Sequence, residues 1–371
     1  MIYLDNAATT GIKPQPVRQA VLSALRENSA NPGRSGHQAS IRAAERVYRT
    51  REAAAAFFGC EKPENVIFTP SCTAGINTVL FGMAPKIRRV LISNLEHNAV
   101  FRPCYALSRD GGMDYGIFDA MNPDVEEELE RRLTPDTGMI FCTHASNVCG
   151  KVLPIERIGR FCAQKGILFG VDAAQSAGVF PIHMQKMQID FLCVAPHKGL
   201  YAPMGTGILL LRKPLLRPLI YGGTGTHSAM AEQPSELPEM LESGTLNVPG
   251  IAGIEAGIRF VRQQGGKIFA HEDALCRAFC RRLEGLAAYH LYRFGEQNAP
   301  VISLNHREKD SNEVAGYLAD NGVAVRAGLH CAPLAHETLG TGKTGTVRIS
   351  PGLFNTAEQM NTVLGLLSKF S

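Results

Sequence analysis

Short apolar runs recur along the chain, and each gives way to small or polar residues. Asn65–Thr69, Arg89–Ser93, Gly138–His144, Ile167–Val171, Ile189–Val194 and Ile208–Leu211 are such runs. Runs of this length, bounded by turn formers, read as buried strands. Between them lie stretches at helical spacing. Val17, Ala20, Val21, Ala24 and Leu25 mark one. The Ala- and Arg-rich stretch from Gln38 to Phe58 is another, stopped by Gly59, which suits the left-handed position just past a helix. Strands alternating with helices predict an α/β fold. From Tyr221 to Pro249 the residues are Gly, Pro and polar types, which predicts a long loop. A helix from Pro249 to Gln264 then leads to helix, strand (Pro300–Leu304), helix and strand (Val323–Arg326), a smaller α/β unit.

The 371 residues are enough for two domains, and 45% hydrophobic with 19% charged residues is ordinary for a soluble enzyme. The formal net charge is +4, without a basic block or aromatic-basic interleaving, so nucleic acid is not an expected partner. The N-terminus lacks the basic and apolar regions of a signal peptide, and no apolar run nears the ~20 residues of a membrane span. Ten cysteines with no Cys-x-x-Cys pair fit reduced, buried thiols. The expectation is a soluble, cytoplasmic protein away from membranes.

Residues that carry chemistry collect where the apolar runs end, which is where ligands bind in open α/β sheets. Asp172 closes one run, in Val171-Asp172-Ala173-Ala174-Gln175-Ser176, and Lys198 follows the next, in Ala195-Pro196-His197-Lys198-Gly199. A lysine just past a buried strand is partly desolvated, which suits it to Schiff-base formation. An aspartate one strand away suits the ring nitrogen of pyridoxal phosphate (PLP). Taken alone the two also read as a surface ion pair, and the flanking sequence decides against that. Pro70-Ser71-Cys72-Thr73-Ala74-Gly75 sits between a strand and a helix from Ile76, where hydroxyl residues make an anion site or a plain N-cap. Cys331 stands in Val325-Arg326-Ala327-Gly328-Leu329-His330-Cys331-Ala332-Pro333, an electropositive setting that favours the thiolate. Two look-alikes fall away. Gly340-Thr341-Gly342-Lys343-Thr344 would need a glycine where Glu337 stands to be a P-loop, and Cys276 and Cys280, one helical turn apart, read as helix packing without a metal.

These motifs together resemble the class V aminotransferase group of PLP enzymes, and within it the cysteine desulfurase and selenocysteine lyase family. The resemblance runs from Tyr3 to Asn355-Thr356, through Glu96-His97-Asn98-Ala99, Ser146-Asn147-Val148 and Gly244-Thr245-Leu246-Asn247, in the family's order. It implies PLP fold-type I, aspartate aminotransferase-like. A large domain over residues 16–259 would hold a mostly parallel central sheet, and residues 1–15 and 260–371 would form a smaller C-terminal α/β domain carrying the cysteine loop. It implies PLP on Lys198, with Asp172 at the pyridine nitrogen, His97 stacked on the ring and moving protons, and Gln175 at the 3′-oxygen. Thr73, Cys72 and His197 would hold the phosphate, with Asn147 near the 3′-oxygen and the substrate carboxylate. Thr245 would reach the phosphate of the neighbouring subunit, hence a homodimer. Arg348, with Arg326 and Asn147, would bind substrate. The loop Asn31–His37 would also be functional. The implied reaction is L-cysteine to L-alanine with a persulfide on Cys331, discharged by a sulfur-acceptor protein or a reductant.

Three departures stand out. Cys72 occupies a position where relatives often carry Thr, Ala195 and Pro196 offer no hydroxyl before the lysine, and Leu329 replaces the first His of Arg-x-Gly-His-His-Cys. Rival readings are a selenocysteine lyase, another PLP aminotransferase or epimerase without a persulfide step, and a sulfur-relay protein with a degenerate cofactor site.

Overall fold

The computed structural model describes residues 1–27, 30–33, 36–295 and 297–370. After β1 (Ile2–Tyr3) come α1 (Gln15–Glu27) and α2 (Gln38–Phe58). Helix α2 is capped by the His37 ring, which accepts the Ser40 N–H at 3.2 Å, and ends on Gly59 at φ 65°. Of the expected functional loop Asn31–His37, Arg34 and Ser35 lie outside the described residues.

The next elements are β2 (Val66–Thr69), α3 (Cys72–Met83), β3 (Arg89–Ser93), α4 (Asn98–Arg109), β4 (Asp114–Phe118), α5 (Val125–Arg132), β5 (Thr137–Thr143), α6 (Ile155–Lys165), β6 (Leu168–Asp172), β7 (Phe191–Val194) and β8 (Gly207–Leu211). Strand and helix alternate up to β6, and β7 and β8 then follow without a helix between them. These strands form one seven-stranded sheet in the order β2-β8-β7-β6-β5-β3-β4. All pairings are parallel except the two made by β8. Successive side chains of a strand point to opposite faces, so the sheet feeds two cores. Leu91, Ile140 and Leu192 join one, and Val90, Phe141 and Phe191 join the other. Burial on both faces is why these strands read as continuous apolar runs. Strand β4 escapes that reading because it is an edge strand that begins on an exposed Asp114.

Beyond a long irregular stretch, α7 (Val248–Gln264) packs its Gly257 against the turn after Lys198; a Cβ there would lie 1.9 Å from the Leu200 carbonyl oxygen. Then come α8 (Lys267–Leu283), β9 (Tyr289–Tyr292), β10 (Ile302–His306), α9 (Ser311–Asp320), β11 (Val323–Ala324), β12 (Arg326–Gly328), α10 (Pro333–Thr338), β13 (Thr346–Ile349) and α11 (Ala357–Lys369). Strands β12-β13-β10-β9 make an antiparallel sheet, and α8 and α11 cover it around a third core that includes Cys276 and Cys280. The single strand expected over Val323–Arg326 is split. Its first half, β11, pairs in parallel with β1, and its second half, β12, pairs with β13. The N-terminus is thereby joined to the smaller unit.

Residues 212–247 contain no helix or strand, yet they are anchored. Glu242 accepts Arg51 Nη1 at 2.9 Å and the Phe68 N–H at 2.6 Å, so it closes the open edge of β2. The pair is buried, and the Arg51 guanidinium also lies 4.7 Å from the centre of the Phe68 ring. Glu242→Ala would strand a buried guanidinium, at an expected cost of about 3–5 kcal/mol. Opening the exposed Arg157–Glu126 pair with Glu126→Ala should leave stability nearly unchanged. Urea denaturation of both variants tests the contrast, and equal midpoints would contradict it.

Candidate active site

Asp172 is the last residue of β6, and Lys198 lies in the turn that follows β7, the neighbouring parallel strand. Asp172 is 3% exposed. Its Oδ1 accepts the Ala174 N–H at 2.9 Å and the Cys72 thiol at 3.7 Å, and it makes no ion pair among the described residues. Burial raises its pKa, opposed by the Ala174 hydrogen bond and the Lys198 charge. Burial lowers that of Lys198, with Asp172 opposing and the Arg348 and Arg326 charges adding to the fall. Each group is thus pushed toward its neutral form. The Cys72 thiol is pushed well up by burial and by Asp172.

His97 caps α4, its Nδ1 accepting the Ala99 N–H at 3.0 Å, which leaves the proton on Nε2. Burial first, then the charges of Lys198, Arg326, Arg348 and Arg102, bring its pKa down to about 4. The residue before it, Glu96, is fully buried and was not singled out in the sequence. Its Oε1 accepts the Ser93 hydroxyl and, at 2.8 Å, the N–H of Thr143, which is paired with Asp172 between β5 and β6. Its Oε2 has no partner among the described residues, and burial pushes its pKa up to about 8. A carboxylate directly before the expected histidine was the available signal.

Helix α3 opens beside Asp172. Ser71 accepts the Ala74 N–H at 3.1 Å; the first N–H groups of a helix have no partner within the helix, and Thr73 here is exposed. Gly207, which starts β8, comes so close that a Cβ would sit 2.3 Å from the Ser71 carbonyl carbon. The His197 ring meets the Thr9 hydroxyl at 3.1 Å, and burial brings its pKa down to about 4. Gln175 donates to the Ala7 carbonyl at 2.9 Å. Thr245 is exposed, lines a cavity of about 310 Å³ with Thr69, Ala74 and Thr78, and makes no hydrogen bond to the Lys198 cluster among the described residues.

Arg326 and Arg348 face each other across β12 and β13. Arg348 is 1% exposed; its Nη2 binds Asp5 at 2.8 Å, its Nη1 donates to the Asn147 carbonyl at 3.1 Å, and its Nε has no partner. Asp5, which the sequence reading passed over, follows the apolar Ile2–Leu4 start. Arg326 Nη2 lies 3.8 Å from the thiol of Cys331. The Cys331 carbonyl accepts the Asn98 N–H at 2.6 Å, and Asn147 donates to the His330 carbonyl at 2.8 Å. These bonds hold His330 and Cys331 in left-handed backbone at φ 47° and 58°. Cys331 is exposed; of the other nine cysteines eight are buried and Cys60 is half-buried.

PLP fits these residues on three counts. A buried, unpaired carboxylate matches a protonated ring nitrogen, a desolvated lysine matches a covalent carbonyl partner, and the opening of α3 with Thr73 matches a phosphate.

The model of the class-V aminotransferase family matches residues 2–363. A probable cysteine desulfurase of Methanothermobacter thermautotrophicus is 32% identical, covering 97% of this chain and 92% of its own. One from Pyrococcus abyssi is 30% identical over 100% of this chain and 94% of its own. The apo structure of a cysteine desulfurase from Thermococcus onnurineus NA1 superposes with a TM-score of 0.92 at 29% identity, covering 100% of this chain and 94% of that one.

Glu96 also makes stability depend on pH. Its folded pKa of about 8 lies above the unfolded value near 4.5, so its contribution is full in acid and is lost as pH rises toward 8. Between pH 5 and 8 the melting temperature of the cofactor-free chain should therefore fall more steeply than that of Glu96→Gln, which keeps the acceptor. The two should run parallel above pH 9. Parallel curves throughout would show that Glu96 ionises normally.

Proposed function

Because the chain belongs to the class-V aminotransferase family, we propose that it is a PLP-dependent cysteine desulfurase that turns L-cysteine into L-alanine and takes the sulfur onto Cys331. One observation carries the persulfide step. The single exposed thiol is held by Arg326 on a loop whose backbone is bonded to the start of α4, directly beside His97.

Bound at Lys198, PLP would supply an electron sink for the α-carbon of an amino acid. The chain's own residues do the rest. Arg348 binds the substrate carboxylate, for which bidentate guanidinium geometry is suited, and Asn147 orients it. The Lys198 amine, pushed toward its neutral form by burial, takes the α-proton, and His97 holds a proton on Nε2. Cys331, as thiolate, attacks the substrate sulfur. The new S–S bond forms as the substrate's Cβ–S bond breaks, the electron pair left on Cβ takes up a proton, and Lys198 returns a proton to Cα, which gives alanine. Cys331 keeps the sulfur as a persulfide until a sulfur-acceptor protein or a reductant removes it.

The reading extends to a homodimer, with Thr245 reaching the neighbouring subunit's phosphate. Exposed Ile220 and Tyr221 beside the cavity that Thr245 lines support an apolar partner surface there. It also extends to a cytoplasmic protein, and no described helix is long and apolar enough to cross a membrane. The cofactor unit is assigned to residues 16–259, and the cysteine-loop unit to 1–15 with 260–371.

The test is alanine release from L-cysteine in the presence of reductant. Cys331→Ala should lower it by roughly 100-fold or more, as expected for loss of a nucleophile, and Lys198→Ala should abolish it. Release unchanged in Cys331→Ala would remove the persulfide step. Release from selenocysteine alone would make the protein a selenocysteine lyase.

A further inference from the structure

The carbonyl oxygen of His197, one residue before Lys198, is crowded with donors from the N-terminal segment. The Thr10 N–H lies at 3.2 Å, the Thr9 hydroxyl at 3.2 Å, the Thr10 hydroxyl at 3.1 Å and Lys13 Nζ at 2.8 Å. Lys13 also donates to the Thr10 hydroxyl at 2.6 Å. It makes no ion pair among the described residues, and burial lowers its pKa to about 8. A half-buried ammonium is costly unless it is hydrogen-bonded, and this one is directed at a main-chain oxygen rather than at a carboxylate.

That oxygen belongs to the peptide from which Lys198 departs. A peptide group is planar, so its C=O and N–H turn together. On the opposite edge of the plane the Lys198 N–H donates to the Ala195 carbonyl at 3.1 Å. The plane is therefore fixed from both sides, and hydrogen bonds from a charged donor are the stronger kind. A four-carbon side chain has many rotamers, so the direction of its root limits where the amine points.

We propose that Lys13 is a positioning residue for Lys198, its ammonium clamping the His197 carbonyl so that the Lys198 amine is presented in one direction to the cofactor. The proposal rests on the reading of Lys198 as the cofactor lysine. Lys13 touches neither substrate nor cofactor in this account, so removing it should slow capture of the cofactor without weakening the substrate contacts of Arg348.

The experiment mixes cofactor-free protein with PLP and follows the visible absorption band, for wild type, Lys13→Met, Lys13→Gln, Lys13→Arg and Lys198→Ala. Lys13→Met should slow the rise of the band about tenfold, Lys13→Gln less, and Lys13→Arg should restore most of the rate. In alanine release, kcat should fall in Lys13→Met while KM for L-cysteine stays within twofold. Melting temperatures of the cofactor-free variants should match wild type. Capture rates equal to wild type in Lys13→Met and Lys13→Gln would overturn the clamp. A slowing that tracks a lowered cofactor-free melting temperature and is not rescued by arginine would also overturn it, leaving Lys13 a structural residue. If wild type shows no band that Lys198→Ala lacks, the cofactor reading fails and takes this inference with it.

Discussion

Burial of an aspartate and a lysine at the ends of adjacent parallel strands is the constraint on which the molecule turns. Asp172 is buried and Lys198 half-buried, and Asp172 is not fully compensated, because it receives only a backbone N–H and a thiol. The topology creates this situation. Strands β2, β3, β5, β6 and β7 end at one edge of the sheet, and the reversed β8 begins there. That edge therefore gathers the Ser71 turn, Glu96 and His97, Asn147, Asp172, Lys198 and Gly207 from segments spread over more than a third of the chain. The reversal of β8 also places a glycine rather than a side chain against the Ser71 turn, which leaves the opening of α3 free.

The smaller unit is tied to this edge by residues 5–13, a strap that makes polar contacts on both sides. Asp5 binds Arg348, and Asn6 and Ala7 donate to Ser350. Gln175 donates to Ala7, and Thr9, Thr10 and Lys13 close on the His197 carbonyl. The guanidinium expected to meet a substrate carboxylate and the amine expected to hold the cofactor thus share one continuous set of hydrogen bonds. A shift of Asp5 away from Arg348 would be felt at the peptide preceding Lys198. On the other side of the site, Cys331 combines a backbone bonded to the large unit with a side chain left in the open, so its position is set while its sulfur stays accessible.

The strands that carry chemistry were legible because burial on both faces writes an uninterrupted apolar run, and because Asp172 and Lys198 each follow such a run directly. Cys331 was legible through its own neighbours in sequence. What could not be read were contacts fixed only by three-dimensional register. Nothing near Asp5 announces Arg348, 343 positions away, and nothing near Lys13 announces His197. Glu96 looked like part of a histidine motif; the burial that pushes its pKa up to about 8, and its bond to Thr143, the residue paired with Asp172, are set by the fold alone. The edge strand β4 lacked the apolar signature of the central strands, and the split between β11 and β12 depends on which sheet each half joins. Thr245 was readable as a motif, but its expected partner is a second copy of the chain.

Burial also decides which charges the site presents. His97, His197 and His330 are driven to about 4, 4 and 2, so all three are neutral near pH 7, and Glu96 is largely protonated there. Lys198 is driven toward its amine. Besides the Lys13 ammonium at the His197 carbonyl, the cations that persist around the Cys331 loop are the guanidiniums of Arg326 and Arg348, which do not lose their protons in proteins. Among the described residues only Asp5 pairs with them, and only with Arg348. Two fixed positive charges against one carboxylate match a ligand that brings one carboxylate to Arg348 while Arg326 attends a thiolate. A cationic side chain would face Arg326 without a counter-charge among the described residues. Under the proposed function, burial that neutralises the histidines and leaves the two guanidiniums charged suits an amino acid whose side chain ends in sulfur.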